Sequence, residues 1–276
     1  MDKILVLGST GMLGHVVADV LEKADKYEVI RANRHPAKGE VFFDGKPSIV
    51  EQIKPDFIVN CVGVLVNASE RNPELAKWIN ADLPHALASK AQKYGGRLVH
   101  VSTDCVFDGK KGNYLEDDPS DAENVYGKTK ALGEVLSPDH VTIRTSIVGP
   151  ELKKNGTGLL HWFLTQKGPI QGYTNVFWNG VTTTQLAEFI KMVMYSKQDG
   201  LIHLASDTVS KKILLNMMSG VWKKSISIID DGAIHSDRTL SPTFHARPIE
   251  LQLQELHKYM VQNKERYIPI YGEGWI

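Results

Sequence analysis

A triple-glycine turn between an apolar strand and an amphipathic helix constrains this chain more than any other feature. Lys3 to Leu7 reads as a buried strand, and Leu13, Val16, Val17, Val20 and Leu21 recur on one face of a helix. Between them runs Gly8-Ser9-Thr10-Gly11-Met12-Leu13-Gly14. Glycine permits close approach of a ligand to the backbone, and the N–H groups that open a helix carry the positive end of its dipole, so the segment suits a pyrophosphate. The spacing is GxxGxxG, and strand, glycines and helix together point to dinucleotide binding, with Gly8, Thr10, Gly11, Met12 and Leu13 as expected contacts.

Short runs rich in Val and Ile then alternate with segments of helical period. The spacing predicts strands over Glu28 to Ala32, Phe57 to Val62, Arg97 to Ser102 and Val141 to Thr145, and helices over Pro73 to Lys93 and Tyr126 to Leu136. That pattern predicts an α/β fold, a doubly wound parallel sheet. After Gly149-Pro150 the chain predicts a loop over Lys153 to Gly158 and a turn-rich stretch over Lys167 to Asn179. Helices are expected at Leu159 to Thr165, Thr184 to Tyr195, Lys211 to Trp222 and Ile249 to Asn263, with a strand at Gly200 to Ala205. The expected division is a dinucleotide-binding domain over 1–150, with 180–196 returning to it, and a smaller mixed α/β C-terminal substrate region over 151–276.

Composition narrows the function. Lys plus Arg and Asp plus Glu number 32 each, so the formal net charge of +0 gives no footprint for nucleic acid or an anionic membrane. The cysteines, Cys61 and Cys105, form neither a disulfide framework nor a CxxC pair. The start of the chain lacks a signal-peptide core, and no run of about 18 apolar residues marks a membrane span, which predicts a cytoplasmic protein. No HExxH or paired histidine spacing supports a metal. A small-molecule substrate is expected, and homo-oligomer formation stays open.

Two further segments carry chemistry. Between Glu28 and Glu40, where an NAD site would present an acid to the ribose, the chain has Arg31, Asn33 and Arg34 instead. Guanidinium groups suit a 2′-phosphate, which favours NADP(H) and leaves NAD(H) open; the bland alternative is a pair of solvated arginines. Tyr126 and Lys130, four residues apart, share a helix face, and a nearby ammonium is expected to lower the phenol pKa. Val99-His100-Val101-Ser102-Thr103-Asp104 delivers hydroxyls at a strand's carboxyl end, where open α/β sheets bind ligands.

Gly8xxGly11xxGly14, Asn60-Cys61-Val62-Gly63, Ser102-Thr103-Asp104-x-Val106-Phe107-x-Gly109 and Tyr126-Gly127-x-Thr129-Lys130-x-x-Gly133-Glu134 occur in order. In this the chain resembles the extended short-chain dehydrogenase/reductases, with a Rossmann-type sheet, and most of all the dTDP-4-dehydrorhamnose reductase family. The resemblance implies that Thr103 polarises a substrate carbonyl, Tyr126 protonates the nascent alkoxide, and Lys130 holds the nicotinamide ribose. It also places Asp44 near the adenine, Asn60, Val62 and Gly63 along the cofactor, and Asn80 in the helix supporting Lys130. Cys105 stands where the family often has Tyr, and is read as a pocket-lining or buried thiol rather than a reactive one. Asp104, Cys105, Arg144, Trp178, Asn179, Gly180, Arg238 and Arg247 are candidate substrate contacts, the arginines for a diphosphate and the indole for stacking. The implied function is reduction of a nucleotide-diphosphate keto sugar for deoxy-sugar or surface polysaccharide synthesis. The alternatives are a nucleotide-sugar epimerase retaining NAD and a non-catalytic NADP-binding regulatory subunit of the same fold.

Overall fold

A computed structural model describes residues 1–276. Strands β1 (Asp2–Leu7), β2 (Tyr27–Asn33), β3 (Val41–Phe42), β4 (Phe57–Asn60), β5 (Arg97–Val101), β6 (Val141–Arg144), β7 (Gly200–Ala205) and β8 (Phe244–His245) form one sheet, in the order β8-β7-β6-β5-β4-β1-β2-β3. Every neighbouring pair in it is parallel. The order reverses direction between β1 and β4, and the crevice at that switch point, outside the carboxyl ends of the strands, is where such sheets bind ligands.

Principal helices are α1 (Gly14–Glu22), α2 (Leu83–Lys93), α3 (Val125–Leu132), α4 (Leu159–Thr165), α5 (Thr183–Val193), α6 (Lys211–Val221), α7 (Ile249–Gln262) and α8 (Lys264–Tyr271). They cover both sheet faces, and the alternation along β1 shows why its run is continuously apolar. Ile4 and Val6 join Val16, Val17 and Leu21 of α1, Leu186 and Ile190 of α5 and Leu253 of α7 in one core. Leu5 and Leu7 point the other way, into a second core with Ile58, Leu83, Leu87 and Leu98. Each such aliphatic side chain, fully withdrawn from water, contributes about 1.5–3 kcal/mol.

The chain crosses the expected boundary at residue 150 more often than its periodicity suggests. Helix α5 packs on α1, but β7, β8 and α7 also return, so the main sheet draws strands from both parts of the sequence. What lies apart is small: Ile170–Tyr173 pairs with Ile228–Asp231, and Val176–Trp178 with Val209–Ser210 and Ser236–Asp237. These strands of two to four residues are too short to show a period.

The helix expected over Pro73 to Lys93 is present with those bounds, and within it Lys77–Asp82 winds as a π-helical turn between Pro73–Ala76 and α2. Wider winding of this kind is rare and clusters at functional sites. Here it brings the Asn80 backbone against α3, where a Cβ at Gly133 would run into the Asn80 carbonyl. Backbone cannot retreat as a side chain can, so Gly133→Ala is expected to lower stability by about 3 kcal/mol, read as a reduced urea midpoint.

Candidate active site

The glycine turn follows β1 directly. Gly8 has φ +80° and donates its N–H to the Ala32 carbonyl (2.9 Å), and a Cβ at Gly14 would collide with the Gly8 carbonyl, so α1 starts tight against the strand. Gly11 closes the turn with an N–H bond to the Gly8 carbonyl (2.8 Å). Within the chain no acceptor takes the N–H groups of Thr10, Met12 or Leu13, which leaves a fan of donors at the mouth of α1. This is an anion cradle, and it fits a dinucleotide pyrophosphate. His15, buried in α1, supports it from behind. Its Nδ1 lies 2.7 Å from the Gly11 carbonyl and its Nε2 2.8 Å from the Tyr267 hydroxyl of α8.

The loop after β4 forms the neighbouring wall. A Cβ on Gly8 would come within 3.1 Å of Val62 Cγ2, and the Val62 N–H donates to Asn60 Oδ1 (3.2 Å). Gly63 faces Asn80, whose amide exchanges bonds with Val64 (2.8 and 3.0 Å) and donates to Thr129 Oγ1 (3.1 Å). Asn80 thus joins this loop to the residue before Lys130.

Beyond β5, Thr103, Asp104 and Cys105 turn across the carboxyl end of the sheet. The Thr103 hydroxyl accepts from the Cys105 N–H (3.2 Å) and donates to Asp104 Oδ1 (3.2 Å). Asn124 caps α3 by accepting from the Gly127 N–H (2.7 Å), and a Cβ on Gly127 would strike the Cys105 carbonyl. That contact brings half-buried Tyr126 onto the Thr103–Cys105 turn. Burial pushes the Tyr126 phenol up, Cys105 adding to the rise and the Thr103 hydroxyl opposing it. Burial raises the Asp104 carboxyl as well, against Lys211 and Arg238, and pushes the Cys105 thiol to about 12 with Asp104 reinforcing. Cys105 therefore stays a thiol rather than a nucleophile.

Lys130 departs from expectation. Its Nζ donates to the Val101 carbonyl (2.7 Å) and lies 3.2 Å from His100 Nε2, pointing into the sheet rather than toward the phenol. Burial lowers it to about 8, opposed by Glu134. The anticipated ammonium-driven fall in the phenol pKa is absent, because the two groups at i and i+4 are drawn to different partners.

Several other candidates have structural employment. Arg31 is held by Asp19 Oδ1 (2.6 Å) and Glu22 (2.7 Å) of α1, with its guanidinium behind the helix instead of at the strand's end. Arg34 is exposed at that end and makes no ion pair. Glu40 folds back there, accepting from Asn33 Nδ2 (2.8 Å) and the Ala37 N–H (2.9 Å). Asp44 lies on an exposed turn beside β3, paired with Lys46 (2.8 Å). Arg144 is buried in a bidentate pair with Glu134 (2.6 and 2.9 Å), bonded to His203 (2.9 Å) and stacked over Phe107, so it grips no diphosphate. Trp178 is buried with its Nε1 donating to Ser146 Oγ (2.8 Å), and Asn179 clamps both backbone groups of Leu240 (2.7 and 3.1 Å). Gly180 gives room to the Ser146 carbonyl, and Arg247 pairs with Glu255 (2.5 Å) on the surface. Arg238 does reach the site, anchored by its Nε to the Phe107 carbonyl (2.8 Å) and acting on Asp104 and Cys105.

Lys211 escapes a motif-based reading. It opens α6 behind the Ser210 cap, and its ammonium sits 5.0 Å from the centre of the Trp178 ring while acting on Asp104. Burial lowers it to about 8, opposed by Asp104 and Cys105. The discernible signal is a Ser-Lys pair opening a helix just after a sheet strand. His100 is the second omission, and a histidine inside an otherwise apolar strand is its mark. No three His, Cys, Asp or Glu side chains converge in a metal-ligating group, and no helix is long and apolar enough to cross a membrane.

Residues 1–217 match the family model described as RmlD substrate binding domain. The chain belongs to this family. It is 37% identical over 163 residues to a dTDP-4-dehydrorhamnose reductase of Burkholderia thailandensis, covering 55% of this chain and 52% of that one. The chain thus spans about half the length of the curated reductases of that name that it matches. It is 30% identical over 218 residues to the spore coat polysaccharide biosynthesis protein SpsK of Bacillus subtilis, covering 76% and 75%. A dTDP-4-dehydrorhamnose reductase from Bacillus anthracis, solved in complex with NADP, superposes with TM-score 0.80 over 94% of this chain and 98% of that one, at 20% identity. The Rossmann-type parallel sheet is therefore the family's sheet.

His15 yields a pH prediction. Burial lowers it from 6.5 to about 4, so between those values the unfolded chain binds the proton that the folded one refuses. Stability contributed by the neutral ring is present above pH 6.5 and is lost as pH falls toward 4, by up to about 3 kcal/mol. His15→Asn is expected to flatten that part of a stability-versus-pH curve measured by urea unfolding.

Proposed function

We propose that this protein is an NADPH-dependent reductase of a keto sugar carried on a nucleoside diphosphate, acting in deoxy-sugar or surface polysaccharide synthesis. The observation that carries this reading is the meeting of Thr103 and Tyr126 on one rim of the switch-point crevice, with the free N–H fan of Thr10, Met12 and Leu13 at its base. The relatives named for dTDP-4-dehydrorhamnose reduction and for spore coat polysaccharide support the substrate class.

In this reading Gly8, Thr10, Gly11, Met12 and Leu13 hold the pyrophosphate. Asn60, Val62 and Gly63 line the adjoining wall, Asp44 stands toward the adenine, and Lys130 toward the nicotinamide ribose. The reduced dinucleotide, when bound, supplies a hydride. The Thr103 hydroxyl orients the carbonyl oxygen, and Tyr126 hands its phenolic proton to that oxygen as charge develops. A phenol raised by burial remains protonated across the physiological range, which suits donation. Lys211 and Arg238 provide positive charge facing Asp104 and Cys105, and are the groups placed to meet the sugar or its phosphate. Only one acidic residue lies at this turn, and its carboxyl is raised, which favours reduction over water elimination.

Tyr126→Phe is expected to lower turnover by about 10² or more while leaving NADPH affinity nearly intact, since it deletes a proton donor and little surface. Steady-state rates with dTDP-4-keto-6-deoxy sugar, set beside a cofactor titration, measure both; retention of near-wild-type turnover refutes the assignment.

With Arg31 committed to Asp19 and Glu22, discrimination at the 2′ position falls to Arg34. Arg34→Ala is expected to reduce the NADPH-to-NADH affinity ratio by about 10-fold, the loss of one charge-assisted contact. Arg31→Ala is expected to leave that ratio unchanged and to lower the melting temperature, since it removes partners of the buried Asp19 carboxylate.

A further inference from the structure

A continuous row of hydrogen bonds runs behind the reacting groups. The Val62 N–H meets Asn60 Oδ1 (3.2 Å), Asn60 Nδ2 meets His100 Nδ1 (3.1 Å), His100 Nε2 meets Lys130 Nζ (3.2 Å), and Lys130 Nζ meets the Val101 carbonyl (2.7 Å). Asn60 and His100 are fully buried, so water cannot repair a mismatch between them.

One member of the row has a fixed direction. The Val62 main-chain N–H can only donate, so Asn60 must present its oxygen there and its NH₂ to His100. Turning the Asn60 amide over would set two donors against each other at Val62. The His100 Nδ1 must then accept, which leaves the ring's single proton on Nε2. A ring nitrogen that donates toward Lys130 requires a lone pair on Nζ, and an ammonium has none. A charged Lys130 would force the ring proton to Nδ1, against the Asn60 NH₂, in a buried place where an unmet donor costs about 1–3 kcal/mol.

We infer that Asn60 and His100 hold Lys130 as a neutral amine in the cofactor-free protein, and that Lys130 takes up a proton when the dinucleotide binds. His100 is in this sense a positioning residue, acting through Lys130. The surrounding charges agree. Facing Lys130 are Cys61 after β4, His100 of β5 and Glu134 after α3, and His85 of α2 acts on His100. Burial pushes the Cys61 thiol up to about 12, so it is uncharged. Glu134 is already taken by Arg144 and by the Ser102 hydroxyl (2.7 Å), and His85 lies exposed against the Leu132 carbonyl (2.8 Å). No free carboxylate faces the Nζ, and burial itself lowers Lys130 to about 8, so the neutral amine prevails at about pH 9. The ribose hydroxyls and phosphates of a bound dinucleotide supply the acceptors and negative charge that an ammonium needs. This second half rests on the cofactor reading above.

Two measurements separate the halves. Nitrogen-15 NMR of the His100 ring in the free protein at about pH 9 is expected to show Nε2 protonated and Nδ1 bare, and the reverse tautomer overturns the inference. Calorimetry of NADP⁺ binding at the same pH, in buffers of different ionisation enthalpy, is expected to show uptake of about one proton per NADP⁺. Asn60→Asp reverses the row, because a carboxylate accepts from Nδ1–H, and should invert the tautomer and abolish the uptake. Should that variant not fold, His100→Gln, whose amide oxygen accepts from an ammonium, should abolish the uptake instead. Binding of NADP⁺ without proton uptake by the wild type overturns the recharging step. Failure of NADP⁺ to bind, with Nε2 protonated, refutes the cofactor reading and leaves the amine assignment standing.

Discussion

The close approach of α3 to the backbones at its two ends is the constraint on which the rest of the site depends. At its start Gly127 lies on the Cys105 carbonyl, and at its end Gly133 lies on the Asn80 carbonyl. A side chain at either place would lift the helix, and with it Tyr126 and Lys130, away from the sheet. The first contact delivers the phenol to Thr103. The second seats the helix on the π-helical turn, where the Asn80 amide carries the constraint on to Val64 and so to the loop after β4. Positioning therefore comes from main chain against main chain, the least compressible contact available.

Charge placement follows the same economy. Asp19 and Glu134 are acids deep in the fold, each satisfied by arginine and hydroxyl partners: Arg31, Arg266 and Tyr259 for one, Arg144 and Ser102 for the other. Removing one partner from such a set is costly because it strands the opposite charge. Consequently the arginines in those sets cannot be spared for a ligand, while Arg34, Arg238 and Lys211 pair with no carboxylate at contact distance.

The fold was legible where period and length suffice. The alternation of Ile4 and Val6 with Leu5 and Leu7, the apolar face of α1 and the glycine turn all declare themselves locally, and the boundaries of α4 and β7 coincide with those expected. The places of Thr103 at the end of β5, of Tyr126 at the start of α3 and of the glycine turn after β1 were legible too, since each sits at a fixed spacing from its element. What a linear reading cannot supply is partner choice. Arg31 and Arg144 look like free guanidiniums until Asp19 and Glu134 fold beside them, and Lys130 looks like a partner for Tyr126 until His100 and Val101 take its nitrogen. Lys211 lies more than a hundred residues from Asp104 in the chain, and no local pattern joins them.

Contacts that bear on function also cross the expected division at residue 150. The Gly11 carbonyl rests on His15, whose other nitrogen meets the Tyr267 hydroxyl, while Asp19 one turn later receives Tyr259 and Arg266. The backs of the glycine turn and α1 are thus bolted to α7 and α8, which close the sequence. A buried polar bridge holds its geometry because every donor in it would be stranded by movement. The N–H fan at the mouth of α1 is therefore preorganised by α7 and α8, so the C-terminal segment supports this anion cradle as much as any substrate region.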